Sequence, residues 1–368
     1  MTRERRIVAG CAIVYAAFII VVRRPYAGDI APEIFLSQRW LDGAPLYRPD
    51  LSTQGTPWPP FAALALAPLG LLARASLPVA VAVWTALSAA CLAIAVVVAR
   101  RWGTWWTVAL ALAATAVPIE TNFEHRNVNT VLLLLVLAAA ADLEQARERR
   151  AGLWVGLAAA IKAFPALLIP YLALQRQWRA VAVAIAVAAG GTLLALLPYG
   201  PSAAWDNVTD WLQSSFAQSR WQLALNDQSL RALVLRLGGT PELGVGLAVL
   251  CALVVLTTAN RRSWDSLSAL GAVLLAAVLA TPIAWIHYYV LAFPAWLAMW
   301  RAPFARLGRA PRAVLTIAAI ATSGLLTIGP KPLRHVLLQG SAYAWGSLVL
   351  LVVLQWSVHY QPRPNEHG

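Results

Sequence analysis

Polar residues in this chain gather into short clusters, and between them lie long apolar runs. The runs cover 7–22, 59–73, 77–99, 104–119, 128–142, 151–174, 178–198, 242–259, 264–281, 285–300, 312–329 and 341–358. A hydrocarbon layer roughly 30 Å thick takes roughly 17–25 helical residues, and seven of the twelve runs fall in that range. The pattern therefore predicts an all-α polytopic membrane protein. Two runs are irregular. Residues 59–73 are few and carry Pro59, Pro60 and Pro68, and 151–174 holds Lys162 and Pro165 at its middle with arginines at both ends.

The arginines set an expected sidedness, because short cytoplasmic loops hold an excess of Lys and Arg. With Arg3, Arg5 and Arg6 inside, Arg100-Arg101 and the Arg147, Arg149, Arg150 cluster stay inside if 59–73 is re-entrant or a half-span. Arg176 and Arg179 join them if 151–174 enters and returns as two half-length helices broken near Lys162. Arg261-Arg262, Arg301, Arg306, Arg309 and Arg312 then follow. This predicts about ten full transmembrane helices plus two or three half-length or re-entrant ones. Residues 1–368 are expected to form one integral membrane domain. The long polar stretches 23–58 and 199–241 then fall on the outer face, with Glu120–Asn129 and Pro282–Tyr289 beside them.

Composition sharpens this picture. Of 368 residues, 60% are hydrophobic and only 12% charged, whereas soluble domains carry roughly a quarter charged residues. The net charge of +13 is explained by inner-loop arginines, and no basic tract with interleaved aromatics points to nucleic acid. Cys11, Cys91 and Cys251 each sit in an apolar run and read as small hydrophobes, not disulfides or metal ligands. Residues 1–22 have the charge pattern of a signal peptide but lack a clear small-residue cleavage site before Arg23-Arg24-Pro25, so an uncleaved first span is expected.

The polar segments hold the candidate chemistry. In the first outer loop Ile34, Leu36, Trp40 and Leu41 suit a helix begun after Pro32 and ended at Gly43, lying along the interface with Trp40 at headgroup depth. Asp29 stands at its start, just past the first span. Two readings stand level there: a partly desolvated carboxylate that takes a proton, or a helix cap. In Thr56-Pro57-Trp58-Pro59-Pro60-Phe61 the prolines impose an extended entry to the next apolar run. The segment Glu120-Thr121-Asn122-Phe123-Glu124-His125-Arg126-Asn127-Val128-Asn129 has more hydrogen-bonding capacity than a turn requires, which suits sugar hydroxyls or a phosphate. Lys162 is an ionisable group within an apolar run, and such groups are costly unless they function. Asp227-Gln228-Ser229 lies late in the second long loop, and His287 follows Thr281-Pro282-Ile283-Ala284-Trp285. Asn207-Val208-Thr209 matches a glycosylation sequon. No metal-ligand spacing, Gly-rich phosphate loop or serine elbow occurs.

Taken in order, these pieces resemble glycosyltransferase family 87 of the GT-C superfamily. The resemblance rests on Asp29, Gly43, Leu46-Tyr47, Trp58-Pro59-Pro60 and Ala67-Pro68-Leu69, with Trp58 in place of a tyrosine. It continues through Arg126-Asn127-Val128-Asn129, which is similar to a Gly-Gln-x-Asn motif only at Asn129, and through Gly156-Leu157-Ala158-Ala159 with Lys162 and Pro165. Asp227-Gln228-Ser229-Leu230 and Thr281-Pro282 with Trp285, His287 and Tyr288 complete it. The resemblance implies a GT-C fold and an outer-face active site in the cell membrane. It implies a polyprenyl-phosphate sugar donor and a glycolipid or polysaccharide acceptor, with no cofactor. Mannose is the sugar it favours and arabinofuranose the second. Asp29 is implied as general base in an inverting transfer, with Glu33, Tyr47, Trp58, Glu120, Glu124, His125, Arg126, Asn127, Asn129, Lys162, Asp227, Gln228, Ser229, Trp285 and His287 binding substrates. The rivals are an envelope lipid transporter or flippase, which predicts internal repeats around a midplane site, and an acyl- or phosphotransferase.

Overall fold

A computed structural model describes residues 2–22, 27–47, 58–217, 223–260, 264–301, 304, 307–323 and 330–359. Thr56-Pro57, Arg23-Arg24-Pro25, Arg261-Arg262 and Arg306 lie outside the described residues. Among the described residues the secondary structure is helical, with one isolated β-bridge between Asp227 and Trp285. The chain divides into two compact units: Met1–Val98 with Ile119–Ala224, and Ala99–Pro118 with Leu225–Gly368.

The helices of the first unit are α1 (Arg3–Val22), α2 (Ile30–Leu41), α3 (Pro60–Ala65), α4 (Ala67–Ala75) and α5 (Leu77–Ala99). After α6 (Trp105–Ala114), which belongs to the second unit, come α7 (Ala116–His125), α8 (Asn129–Glu144), α9 (Glu148–Ile161), α10 (Leu168–Leu174), α11 (Trp178–Leu196) and α12 (Gly200–Ala217). The second unit continues with α13 (Leu230–Arg236), α14 (Pro241–Ala259), α15 (Ser266–Ala280), α16 (Phe293–Arg301), α17 (Arg309–Ser323), α18 (Lys331–Gln339) and α19 (Ala342–His359).

Four helices among the described residues are long and apolar enough to cross a bilayer alone: α1, α5, the 38-residue stretch Trp178–Ser215 and α14; α18 with α19 form a further pair bent by 56°. Their flanks carry exposed Ile13, Val14, Val21, Ile94, Leu193 and Leu253. Apolar side chains of that size left uncovered along whole helices are what lipid contact requires. The chain is a membrane protein whose described residues form helices and no strand.

Four apolar runs are divided, two of them (104–119 and 285–300) expected as single spans, and proline explains where. Pro68, Pro118, Pro165 and Pro294 each fall in the first turn of the second piece, at positions two or three of 67–75, 116–125, 164–167 and 293–301. Proline lacks the N–H that would bond four residues back, so the preceding helix ends and a new one begins around it. The break expected near Lys162 occurs there: α9 stops at Ile161, Lys162 is extended, and a short 3-10 turn starts at Phe164.

Further findings concern the polar loops. The helix expected after Pro32 starts at Ile30, because proline is tolerated in a first turn. Trp40, expected at headgroup depth, donates its indole N–H to the Ala195 carbonyl at 2.7 Å, so protein backbone takes that bond. The stretch expected as loop from 199 opens as α12, continuing α11. The two helices are joined through a 3-10 turn over Leu197–Tyr199 and Gly200 at φ +69°. Asn207, the sequon residue, is buried, and its Oδ1 accepts the Leu46 N–H at 2.6 Å. A glycan at that nitrogen has no room. Tyr199 donates to the Ala44 carbonyl at 3.0 Å, and Leu36, Leu46, Tyr47, Ala63 and Leu196 pack into one cluster. The first long loop and the start of the second therefore share one face of this unit.

Candidate active site

The first unit gathers its chemistry where the start of α2 meets the turn between α7 and α8. Gly28 adopts φ +63°, and a Cβ there would collide with the His125 carbonyl. Only glycine permits that approach, which lets the next residue, Asp29, donate its N–H to the same carbonyl at 2.7 Å. The Asp29 side chain makes no capping bond to α2, so the cap reading fails. Its Oδ2 accepts from Asn127 Nδ2 at 2.9 Å, and its Oδ1 lies 3.6 Å from His125 Nδ1. Both side chains of that pair are about one-third exposed. The hydrogen bond that His125 donates to Asp29 raises the His125 pKa, with the charges of Asp29 and Glu124 adding to it against a burial penalty.

Behind this pair the site is closed. Lys162, released from α9 at its extended residue, is buried and donates from Nζ to Asn127 Oδ1 at 3.2 Å. Its ammonium also stands 5.7 Å from the centre of the Phe164 ring. Glu33, one helical turn along from Asp29, is buried, and Oε2 has no hydrogen-bond partner among the described residues. Burial, only partly offset by a hydrogen bond from the Trp58 N–H and by the Lys162 charge, pushes its pKa up to about 8. It holds a proton at neutral pH.

Trp58 and Tyr47 form the wall beside it. The Tyr47 hydroxyl donates to the Trp58 carbonyl at 2.6 Å, and the Trp58 ring lies 6.3 Å from Trp84. Trp84 donates to the Arg126 carbonyl at 2.8 Å. Arg126 is buried at φ +51°, a left-handed conformation that costs a residue with a Cβ about 1–2 kcal/mol. The motif it resembles has glycine there, which the backbone explains. Asn129 donates to Asn122 Oδ1 at 3.2 Å, and the Asn122 carbonyl accepts the Asn127 N–H at 3.0 Å. Sequence reasoning did not single out Asn122. Its place in the amide-rich segment was the available signal, and its complete burial could not be read from that. Glu120 accepts from the Tyr15 hydroxyl of α1 at 3.0 Å.

The second unit brings together Asp227 and Ala284, 57 residues apart in sequence. Asp227 Oδ1 accepts the N–H groups of Ser229 and Ala284, each at 3.0 Å, and the Gln228 N–H donates to the Ala284 carbonyl at 2.8 Å. Burial raises the pKa of Asp227, and these bonds work against it. Gln228 is also held by Leu338, Tyr289 and Tyr343, while Ser229 caps α13. These three residues are tied into the fold, and the loop they brace carries half-buried Trp285 and buried His287, which meets Tyr288 edge-on at 5.0 Å.

Comparison with known proteins decides the family. The model of glycosyltransferase family 87 matches residues 57–282. The chain belongs to glycosyltransferase family 87. This enzyme is 28% identical over 403 residues to a polyprenol-phosphate-mannose-dependent alpha-(1-2)-phosphatidylinositol mannoside mannosyltransferase of Mycobacterium tuberculosis. That match covers 98% of this chain and 91% of the relative. A protein of the same description from Mycolicibacterium smegmatis is 29% identical, across 77% of this chain and 71% of its own. A pentamannoside mannosyltransferase from Mycobacterium tuberculosis is 30% identical over 64% of this chain and 56% of its own. No solved structure matches the chain. As a family 87 member the enzyme is a membrane glycosyltransferase, which selects the transferase expectation over the transporter. The matched range holds Asn127, Lys162 and Asp227, while Asp29 precedes it and His287 follows.

Proposed function

We propose that this enzyme transfers mannose from a polyprenyl-phosphate donor to a hydroxyl of a membrane glycolipid, on the outer face of the cell membrane, with Asp29 as general base. The observation that carries this reading is Asp29 itself. Its carboxylate reaches the surface, is gripped from one side by Asn127, and performs no capping duty. The relatives that align with 98% and 77% of the chain are described as polyprenol-phosphate-mannose-dependent, which favours mannose over arabinofuranose and a phosphatidylinositol mannoside class of acceptor.

The step balances simply. An acceptor hydroxyl oxygen bonds to the anomeric carbon as the bond from that carbon to the phosphate oxygen breaks. Asp29 takes the hydroxyl proton, and polyprenyl phosphate leaves with the negative charge. One-step displacement inverts the anomeric centre and needs a single base. The departing phosphate is steadied by the cationic groups of the first unit, Lys162 and Arg126. Glu33, Tyr47 and Trp58 shape the wall beside the sugar, Glu120, Glu124 and His125 present donors and acceptors to hydroxyls, buried Asn129 holds Asn122, and Asp227, Gln228 and Ser229 brace the loop bearing Trp285. The shared packing of residues 44–47 with Leu196 and Tyr199 supports placing both long loops outside, in a topology of about ten spans with half-length helices.

Membranes containing the enzyme, incubated with radiolabelled polyprenyl-phosphate mannose and a panel of envelope glycolipids, test the reading. Label should pass to a phosphoinositide-type glycolipid, and D29N should lower turnover by about a thousandfold while still binding the lipid donor. Transfer from polyprenyl-phosphate arabinofuranose alone would overturn the donor, and an active D29N enzyme would overturn the base.

A further inference from the structure

Asn127 stands among the groups expected to meet a sugar, yet its surroundings assign it other work. Its carboxamide makes three bonds. Oδ1 accepts from the Val128 N–H at 2.9 Å and from Lys162 Nζ at 3.2 Å, and Nδ2 donates to Asp29 Oδ2 at 2.9 Å. A backbone N–H only donates, and an ammonium only donates, so the oxygen must face them and the NH₂ must face the carboxylate. The reverse orientation would set the amide oxygen against the Asp29 carboxylate and its hydrogens against the other donors. The backbone is fixed as well, because the Asn127 N–H is bonded to the Asn122 carbonyl.

Burial runs in one direction across this line. Lys162 is 5% exposed and Asn127 3%, whereas the Asp29 side chain is 32% exposed. A sugar hydroxyl arriving from outside meets the carboxylate and not the amide. Two donors on Oδ1, one of them cationic, also polarise the carboxamide and strengthen the bond that its NH₂ makes to Asp29.

We propose that Asn127 is a positioning residue: its one carboxamide holds the Asp29 carboxylate in its working orientation and couples it to the Lys162 ammonium. This rests on the reading of Asp29 as base. Among the described residues of the first unit, the groups facing Asp29 include His125 from α7, Asn127 and Lys162 behind it, and Glu33 along α2, with Glu124 acting on His125. Loss of the amide donor removes a bond that favours the ionised carboxylate, so a higher pH is needed to keep the base charged.

The test uses full-length enzyme in detergent or lipid nanodiscs, with D29N, N127A, N127D, N127Q, K162M and N127A/K162M. For N127A, kcat should fall about 30- to 100-fold with KM for donor and acceptor within about threefold, as loss of an aligning contact predicts. The acid limb of its kcat/KM profile should move up by about one pH unit, and further in N127D, where a second carboxylate faces Asp29. The same shift should persist in H125Q and H287Q backgrounds, so that neither imidazole supplies it. N127Q, which keeps both amide functions, should recover about tenfold over N127A. The double variant should be within about threefold of K162M, because the two groups act as one unit. A raised KM with unchanged kcat and pH limb would make Asn127 a sugar ligand and overturn the proposal, as would additive losses in the double variant. If N127A shows no cooperative thermal transition, N127D and N127Q, near in volume, are read in its place. An inactive D29N with Asn127 variants like the wild type sinks this proposal alone, whereas an active D29N sinks the reading beneath it.

Discussion

Glu33 and Asp29 are two carboxyl groups one turn apart on α2 and they behave differently, because one is buried and the other reaches the surface. Glu33 keeps its proton in the folded enzyme up to about pH 8 against an ordinary 4.5. Between those values the unfolded chain has released a proton that the folded chain still holds, so Glu33 makes stability fall as pH rises through that window. E33Q retains an oxygen for the Trp58 N–H and has no such slope. Melting temperatures in detergent from pH 5 to 9 should show E33Q gaining on the wild type as pH increases; parallel curves would mean that Glu33 is ionised throughout. Gly28 is the second residue on which the site turns. G28A must place a Cβ against the His125 carbonyl at a positive φ, which pulls Asp29 away from Asn127. A loss of activity of at least about 100-fold is expected, since ångström-scale misplacement costs that much, with donor binding retained; an assay finding it near wild-type would contradict the docking described here.

At the scale of elements, Lys162 reaches its place through the packing of α9 on α11. Gly152 and Gly156, four residues apart, press α9 directly onto the backbone of α11 at Ala180 and Ala184; a Cβ on Gly156 would lie 2.7 Å from the Ala184 carbonyl oxygen. Small residues at this spacing let membrane helices approach closely where lipid provides no drive for association. G156L should therefore separate the two helices and cost about 1–3 kcal/mol or more. It should appear as a lowered thermal transition and as reduced activity, because α9 ends at the residue before Lys162. Unchanged melting would show that this contact is not tight. The run Gly156-Leu157-Ala158-Ala159 through Lys162 and Pro165 was visible in the sequence as a motif, but not as a mechanism. The glycine sets the helix against its neighbour, and Pro165 stops the chain from continuing as helix past the lysine.

For the whole molecule, the contacts of residues 44–47 with Leu196, Tyr199 and Asn207 hold those segments together, and the arginine cluster at 147–150 predicts that the end of α8 and the start of α9 lie on the opposite face of the membrane. Single cysteines at Ser202 and Arg149, in a background with Cys11, Cys91 and Cys251 replaced, should react with a membrane-impermeant maleimide from opposite sides of sealed cells, Ser202 from outside. Labelling of both from one side would invert or break the topology.

Sequence by itself determined the class of protein, since twelve apolar runs and so few charges leave no other solvent than lipid for most of the surface. It also marked the candidate chemistry, because an ionisable group in a hydrophobic run, a carboxylate after a span and a turn crowded with amides are each costly to keep without a use. It named the family through the order of those pieces. Tertiary structure alone decided how they meet. Whether Asp29 caps a helix, whether Asn127 touches a sugar or its neighbours, whether Asn207 is open to a glycan, and where each proline divides a run depend on atoms brought together from distant positions. Hydrophobic period and residue type carry no information about such pairings; close packing and the need to satisfy buried polar groups settle them.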